Sequence, residues 1–245
     1  MRLALVHTRF QWLETVRIPM ALIGSAFFPA ASMLFFVVPF SGDDPVVATY
    51  ATASMVTFAV MTANIFRYGV GVAEDRAHAW DPYLRTLPAG AAPRFTGRIL
   101  AGLLLTLVSL IPVVIIAAVA TEATITGLAF LAALGTVLVI SVPFTLMGLA
   151  IGYSLPSKAA VVVAQVVFFP LAVGGGLLFP PEQSPAIIEA IAPYLPTRGA
   201  VELMWAAVGD FPLNPTSLIM LVVWTVVLAA LAGWAYRRDE GRRFS

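Results

Sequence analysis

The sequence predicts an all-α integral membrane protein. It is expected to have six transmembrane helices, an N-terminal amphipathic interfacial helix, a re-entrant extracellular helical hairpin before the last span, and both termini in the cytoplasm. Three observations predict this. Hydrophobic residues make up 60% of the 245 and charged residues only 11%, with a mean hydropathy of +0.93; a soluble chain carries about 25% charged residues. The apolar residues gather in runs of about twenty, the length that crosses a bilayer as a helix. With alternate loops assigned to the cytoplasm, thirteen of the fourteen basic residues fall inside and only Arg198 stays outside, the asymmetry that sets orientation.

Residues 1–19 open the chain as an interfacial helix. Leu3, Val6, Phe10, Leu13 and Val16 recur at three- or four-residue spacing, while Arg2, Arg9, Gln11 and Glu14 occupy the remaining positions. Such a helix can lie flat with Arg9, Glu14 and Arg17 at the headgroups, although the pattern also fits a plain cytosolic extension. Pro19 marks the turn into the bilayer. The spans then follow at 20–40, 46–72, 99–120, 125–155, 159–178 and 216–236. Arg67 lies about 30 Å along the second at about 1.5 Å per residue, so it can snorkel at the inner end. Pro112, Pro143 and Pro170 fall inside spans, where neighbouring helices can satisfy the freed carbonyls.

Two intervals are not spans. Residues 74–98 form the longest polar stretch, read as a cytoplasmic loop. Residues 179–215 are apolar but cut by seven prolines, a density that excludes a straight spanning helix. Two short helices fit there, one with Ser184 as N-cap and Pro185 at its first position, the other from Thr197 to Val208.

The residue inventory excludes several chemistries. There is no cysteine, and the single lysine, Lys158, is followed by Ala159. A phosphate loop needs lysine followed by Ser or Thr, so the sequence contains no ATPase site of that type. His7 and His78 form no metal motif, and no catalytic or metal-binding set is expected. Net charge is +1, so nothing points to nucleic acid. The expected spans contain no carboxylate, which argues against ion-coupled transport. Asn64 and Gln165 are polar positions within spans, open to two readings: lining a pathway, or hydrogen bonding between helices. Gly148 and Gly152 form a GxxxG spacing for which helix packing is explanation enough.

The order of these features resembles the ABC-2-type permease subunits of ATP-binding-cassette exporters. The resemblance rests on four features: Glu14, Arg17 and Pro19 before the first span; Glu74-Asp75, then Leu84-Arg85-Thr86-Leu87-Pro88, Arg94 and Gly97-Arg98 in the polar interval; the GGGLLFPPEQSP stretch from Gly174 to Pro185; and a short apolar hairpin followed by one last span and a basic tail. Many relatives carry Gly-Thr after the acidic pair, where this chain reads Arg76-Ala77-His78-Ala79-Trp80. The resemblance implies two facing permease subunits, copies or paralogues, each engaging a separate ATP-binding-cassette ATPase that carries ATP and Mg. No cofactor is expected in this chain itself. Contact with the ATPase is expected from Glu74, Asp75, Arg76, His78, Trp80, Arg85, Leu87 and Pro88, with Arg94–Arg98 anchoring the third span. The second and fifth spans tend to face the pathway in this family, which raises Phe58, Asn64, Gln165, Phe168 and Phe169. The expected function is export of a hydrophobic or amphipathic small molecule, such as a drug, an antibiotic or a lipid-like compound. The alternative is a non-transport membrane anchor or assembly module.

Overall fold

A computed structural model describes residues 2–17, 27–78, 91–179 and 184–241, with the side chains of residues 2–4, 14–16, 91–95 and 241 left out. The described residues are helical and contain no strand. The helices are α1 (Arg2–Val16), α2 (Phe27–Ser41), α3 (Pro45–Ala77), α4 (Ala91–Ala120), α5 (Gly127–Ser154), α6 (Ser157–Gly174), α7 (Ala186–Ile191), α8 (Pro196–Val208) and α9 (Pro215–Gly241). Five of them (α3, α4, α5, α6 and α9) are long and apolar enough to cross a membrane.

Helix α3 is the axis of the bundle. Asp44 caps it, accepting from the backbone N–H groups of Val46 at 2.8 Å and Val47 at 3.0 Å, with Pro45 at the first position. Its side chains are buried along most of its 33 residues, against α4, α5, α6 and α8. The closest seam is with α5. A Cβ on Gly148 would come within 2.8 Å of the Asn64 carbonyl oxygen, and one on Gly152 within 2.4 Å of the Tyr68 carbonyl oxygen. The GxxxG spacing therefore lets the two backbones touch, as small residues do between membrane helices.

Helix α2 carries a π-helical turn at Met33–Val37, where the Val38 N–H reaches back to the Met33 carbonyl. Pro39 follows directly; its ring clashes with the carbonyl four residues back in a regular helix, and a wider turn relieves that clash. Pro112, Pro143 and Pro170 lie inside helices that continue past them. Large apolar side chains stand exposed on the outside of the bundle, among them Val119, Leu128, Val166 and Val226. A soluble monomer rarely exposes so continuous an apolar surface; lipid is the solvent that accommodates it.

The helices reach further into the polar interval 74–98 than its composition suggests. Helix α3 continues to Ala77 and α4 is already helical at Ala91. No proline follows α3 until Pro82, so nothing stops the helix where the residues turn polar. Helix α7 begins one residue later than the Ser184 cap implies: Pro185 is its N-cap and Ala186 its first residue. Helix α8 begins at Pro196, one residue before Thr197, and ends at Val208.

Candidate functional site

The C-terminal ends of α3, α5 and α9 meet in a polar clasp. Arg76, on the last turn of α3, donates through Nε to Asp239 Oδ1 at 3.0 Å and through Nη2 to the same oxygen at 2.5 Å. Its Nη1 donates to the carbonyls of Gly152 at 2.6 Å and Leu155 at 3.2 Å. Those carbonyls belong to the end of α5, where a helix lacks internal donors and its dipole is negative. One guanidinium thus caps α5 and pairs with α9. The Asp239 side chain is only 4% exposed and that of Arg76 19%. Tyr153 stacks edge-on against Tyr236 at 5.2 Å, and the Arg76 guanidinium lies 6.0 Å from the Tyr153 ring centre.

A second set of contacts joins the start of α4 to the same end. Arg98 pairs with Asp75, whose side chain is half exposed, and the Tyr68 hydroxyl donates to the Arg98 carbonyl at 3.4 Å. A Cβ on Gly102 would collide with the Tyr68 hydroxyl, so that glycine lets the tyrosine cross to α4. Helix α1 packs along α4, with Thr8 Oγ1 donating to the Gly97 carbonyl at 3.3 Å. Val6 and Phe10 remain exposed on α1, as do Arg9 and Arg17.

The residues expected to meet an ATPase are thereby separated. Glu74, Asp75 and His78 are exposed, whereas Arg76 is turned into the clasp. Trp80, Arg85, Leu87 and Pro88 lie outside the described residues, as do the side chains of Glu14 and Arg94.

Deeper in the bundle, Asn64 is fully buried between α3 and α5. Its Nδ2 donates to the Val60 carbonyl at 2.8 Å, and its Oδ1 accepts from Thr145 Oγ1 at 3.0 Å. Here Asn64 links two helices of one chain. Phe58 and Phe66 both stack edge-on against Phe168, at 5.1 and 5.7 Å, and Phe168 meets Phe169 at 5.2 Å. Phe58 and Phe168 are buried, but Phe169 and Gln165 are exposed on the outer face of α6. The cluster runs from the core between α3 and α6 to that outer face.

At the other end of the bundle, Glu202 of α8 is 1% exposed. It accepts from Arg198 Nε at 2.6 Å, from Ser217 Oγ at 3.2 Å and from the Asn214 N–H at 3.2 Å. The Arg198 guanidinium also lies 5.0 Å from the ring centre of buried Trp205, whose Nε1 donates to Ser54 Oγ at 2.9 Å and the Tyr50 carbonyl at 3.1 Å. A Cβ on Gly199 would come within 2.5 Å of the Ser217 carbonyl oxygen, so α8 is pressed against α9 there. This network was missed in the sequence, although Arg198 and Glu202 stand at the four-residue spacing that pairs charges on a helix. Among the described residues no cluster of side chains could hold a metal ion.

The family described as ABC-2 type transporter matches residues 3–209. The chain belongs to that family. A relative named "Putative transport permease YvfS", from Bacillus subtilis (strain 168), is 20% identical over 187 residues, covering 76% of each chain. The matched region takes in α1 through α8, including the Asn64 seam and the Arg198, Glu202 and Trp205 side of the Glu202 network, while Asn214, Ser217 and the Asp239 half of the clasp lie beyond it. ABC-2 family membership together with five apolar helices makes this a multi-pass membrane protein, which in a bacterium sits in the cell membrane. It also makes it a permease-type transport protein, and the family works with an ATP-binding-cassette ATPase in general.

Proposed function

We propose that this ABC-2 family chain is the membrane-spanning subunit of an exporter that moves a hydrophobic or amphipathic small molecule. ATP and Mg would be bound by a separate subunit. The observation that carries the reading is a combination: a transporter family match over residues 3–209, in a sequence whose one lysine, Lys158, sits in no phosphate loop. Energy must then arrive from outside the chain. Six spans fit best, the sixth supplied by the apolar sequence 20–40 that ends in α2, with both termini in the cytoplasm and the 179–215 interval as the extracellular hairpin. The exposed apolar residues Val6 and Phe10 of α1 support its interfacial placement.

In this reading the ATPase docks on the exposed Glu74, Asp75 and His78, together with Trp80, Arg85, Leu87 and Pro88. Arg76 contributes from behind, as the residue that ties the docking end to α5 and α9. Movement at the docking segment then reaches α3 directly, because Glu74 and Asp75 lie on its last turns. Two such subunits would face one another, and the exposed Phe169 and Gln165, backed by the buried Phe58 and Phe168, give an uncharged wall suited to an apolar cargo. Co-expression with an ATP-binding-cassette ATPase tests the proposal. The complex should co-purify and export an amphipathic dye from inside-out vesicles only with hydrolysable ATP. Dye movement without any ATPase subunit would contradict it.

A further inference from the structure

We propose that the crevice beside the Arg76–Asp239 clasp binds a phosphate-bearing anion, the headgroup of an acidic phospholipid. The crevice is shallow and open, with a cavity volume of about 30 Å³ that admits phosphate oxygens at its mouth, and is lined by Arg76, Tyr153, Ser154, Ala235, Arg238 and Asp239. Two guanidiniums against one carboxylate leave it with a single net positive charge. Arg76 is committed to Asp239 and to the α5 carbonyls, so it forms the wall. By occupying those carbonyls it also cancels the negative helix end that would otherwise repel an anion.

The donors that face the mouth are different ones. Arg238 is exposed and held with its guanidinium 5.1 Å from the centre of the Trp234 ring. A guanidinium held by an aromatic ring in this way keeps N–H donors on its edge for a planar or tetrahedral oxyanion. No hydrogen bond to a described residue uses that edge, nor the exposed Ser154 hydroxyl. Trp234 is exposed on α9, the setting in which tryptophan marks the membrane interface. Arg237, Arg238, Arg242 and Arg243 follow within a few residues, and a basic cluster next to a span attracts acidic lipid. The inference rests on the reading that these helix ends reach the headgroup layer.

The test is lipid retention by the purified full chain, without any ATPase, measured by native mass spectrometry. Phosphatidylglycerol should be retained over phosphatidylcholine. Arg238→Gln should weaken phosphatidylglycerol binding about fivefold, the effect of one surface cation on an acidic lipid. Arg237→Gln makes the same change in net charge next door and outside the crevice; it should weaken binding less than about twofold. Equal losses in the two variants, or equal retention of the two lipids, would overturn the site. Glycerol phosphate added as a competitor separates the sources. Displacement of the lipid shows that a free phosphate ester suffices, whereas no displacement shows that the acyl chains are required. Because binding is read on the isolated permease, a failure of ATP-driven export would leave the site standing. Intact export with no phosphatidylglycerol preference would overturn the site alone.

Discussion

Replacing Arg76 by glutamine should loosen the clasp end of the bundle as a unit. The change removes two charge-assisted bonds to Asp239 and two donors from the end of α5. Breaking a fully buried ion pair by removing one partner costs about 3–5 kcal/mol. The Arg76 side chain is 19% exposed, which lets water take over part of its role, so the expected loss is about 2–3 kcal/mol. Unfolding in mixed micelles by titration with dodecyl sulfate, followed by far-UV circular dichroism, would read it. Asp239→Asn should lose a similar amount. The double variant should fall short of the sum by at least about 1 kcal/mol, the mark of residues sharing one interaction. The same variants assign the role of Arg76 in coupling. If Arg76 acts through the clasp, Asp239→Asn impairs ATPase coupling as much as Arg76→Gln does. A silent Asp239→Asn beside a damaging Arg76→Gln would refute the clasp and return Arg76 to direct contact with the ATPase. So would an Arg76→Gln protein as stable as the parent to within about 0.5 kcal/mol.

Other outcomes follow from the packing. Gly152→Val should destabilise by about 3 kcal/mol or more, because its branches enter the space of the Tyr68 carbonyl and the Val72 side chain; normal melting and expression would contradict the α3–α5 seam. Asn64→Leu should cost about 0.6–1.7 kcal/mol, the range for interhelical hydrogen bonds in membranes, and should be non-additive with Thr145→Val; additive effects would show that the two side chains do not meet. Glu202→Ala leaves Arg198, Ser217 and the Asn214 N–H without their shared acceptor and should cost about 3 kcal/mol, seen as loss of the monodisperse peak in detergent chromatography, whereas an unchanged peak and melting temperature would show the network to be dispensable.

The parts of this fold legible in the sequence are those governed by local chemistry. An apolar run of about twenty residues has few alternatives to a spanning helix. The two short helices α7 and α8 are legible because proline acts on its own neighbourhood. What escaped depends on distance. Arg76 and Asp239 stand 163 residues apart, and no spacing rule pairs them. The expected topology sets both on one side of the membrane, which allows the contact without singling it out. Asn64 is ambiguous in the sequence because a pathway and a helix seam both call for a polar side chain in an apolar run, and its partner Thr145 stands 81 residues away, beyond any spacing rule. The ends of the polar interval misled for a simpler reason. Polar residues on a helix that projects beyond the lipid look the same as polar residues in a loop.

In the proposed function, energy enters this chain through the segment after α3. The most direct test removes residues 79–88, which spares Arg76 and the clasp, and measures ATPase co-purification with ATP-driven export in the same vesicles. The shortened chain should still insert and melt like the parent but hold the ATPase only at background level and export nothing. A shortened chain that keeps its ATPase and exports at the parent rate would contradict it.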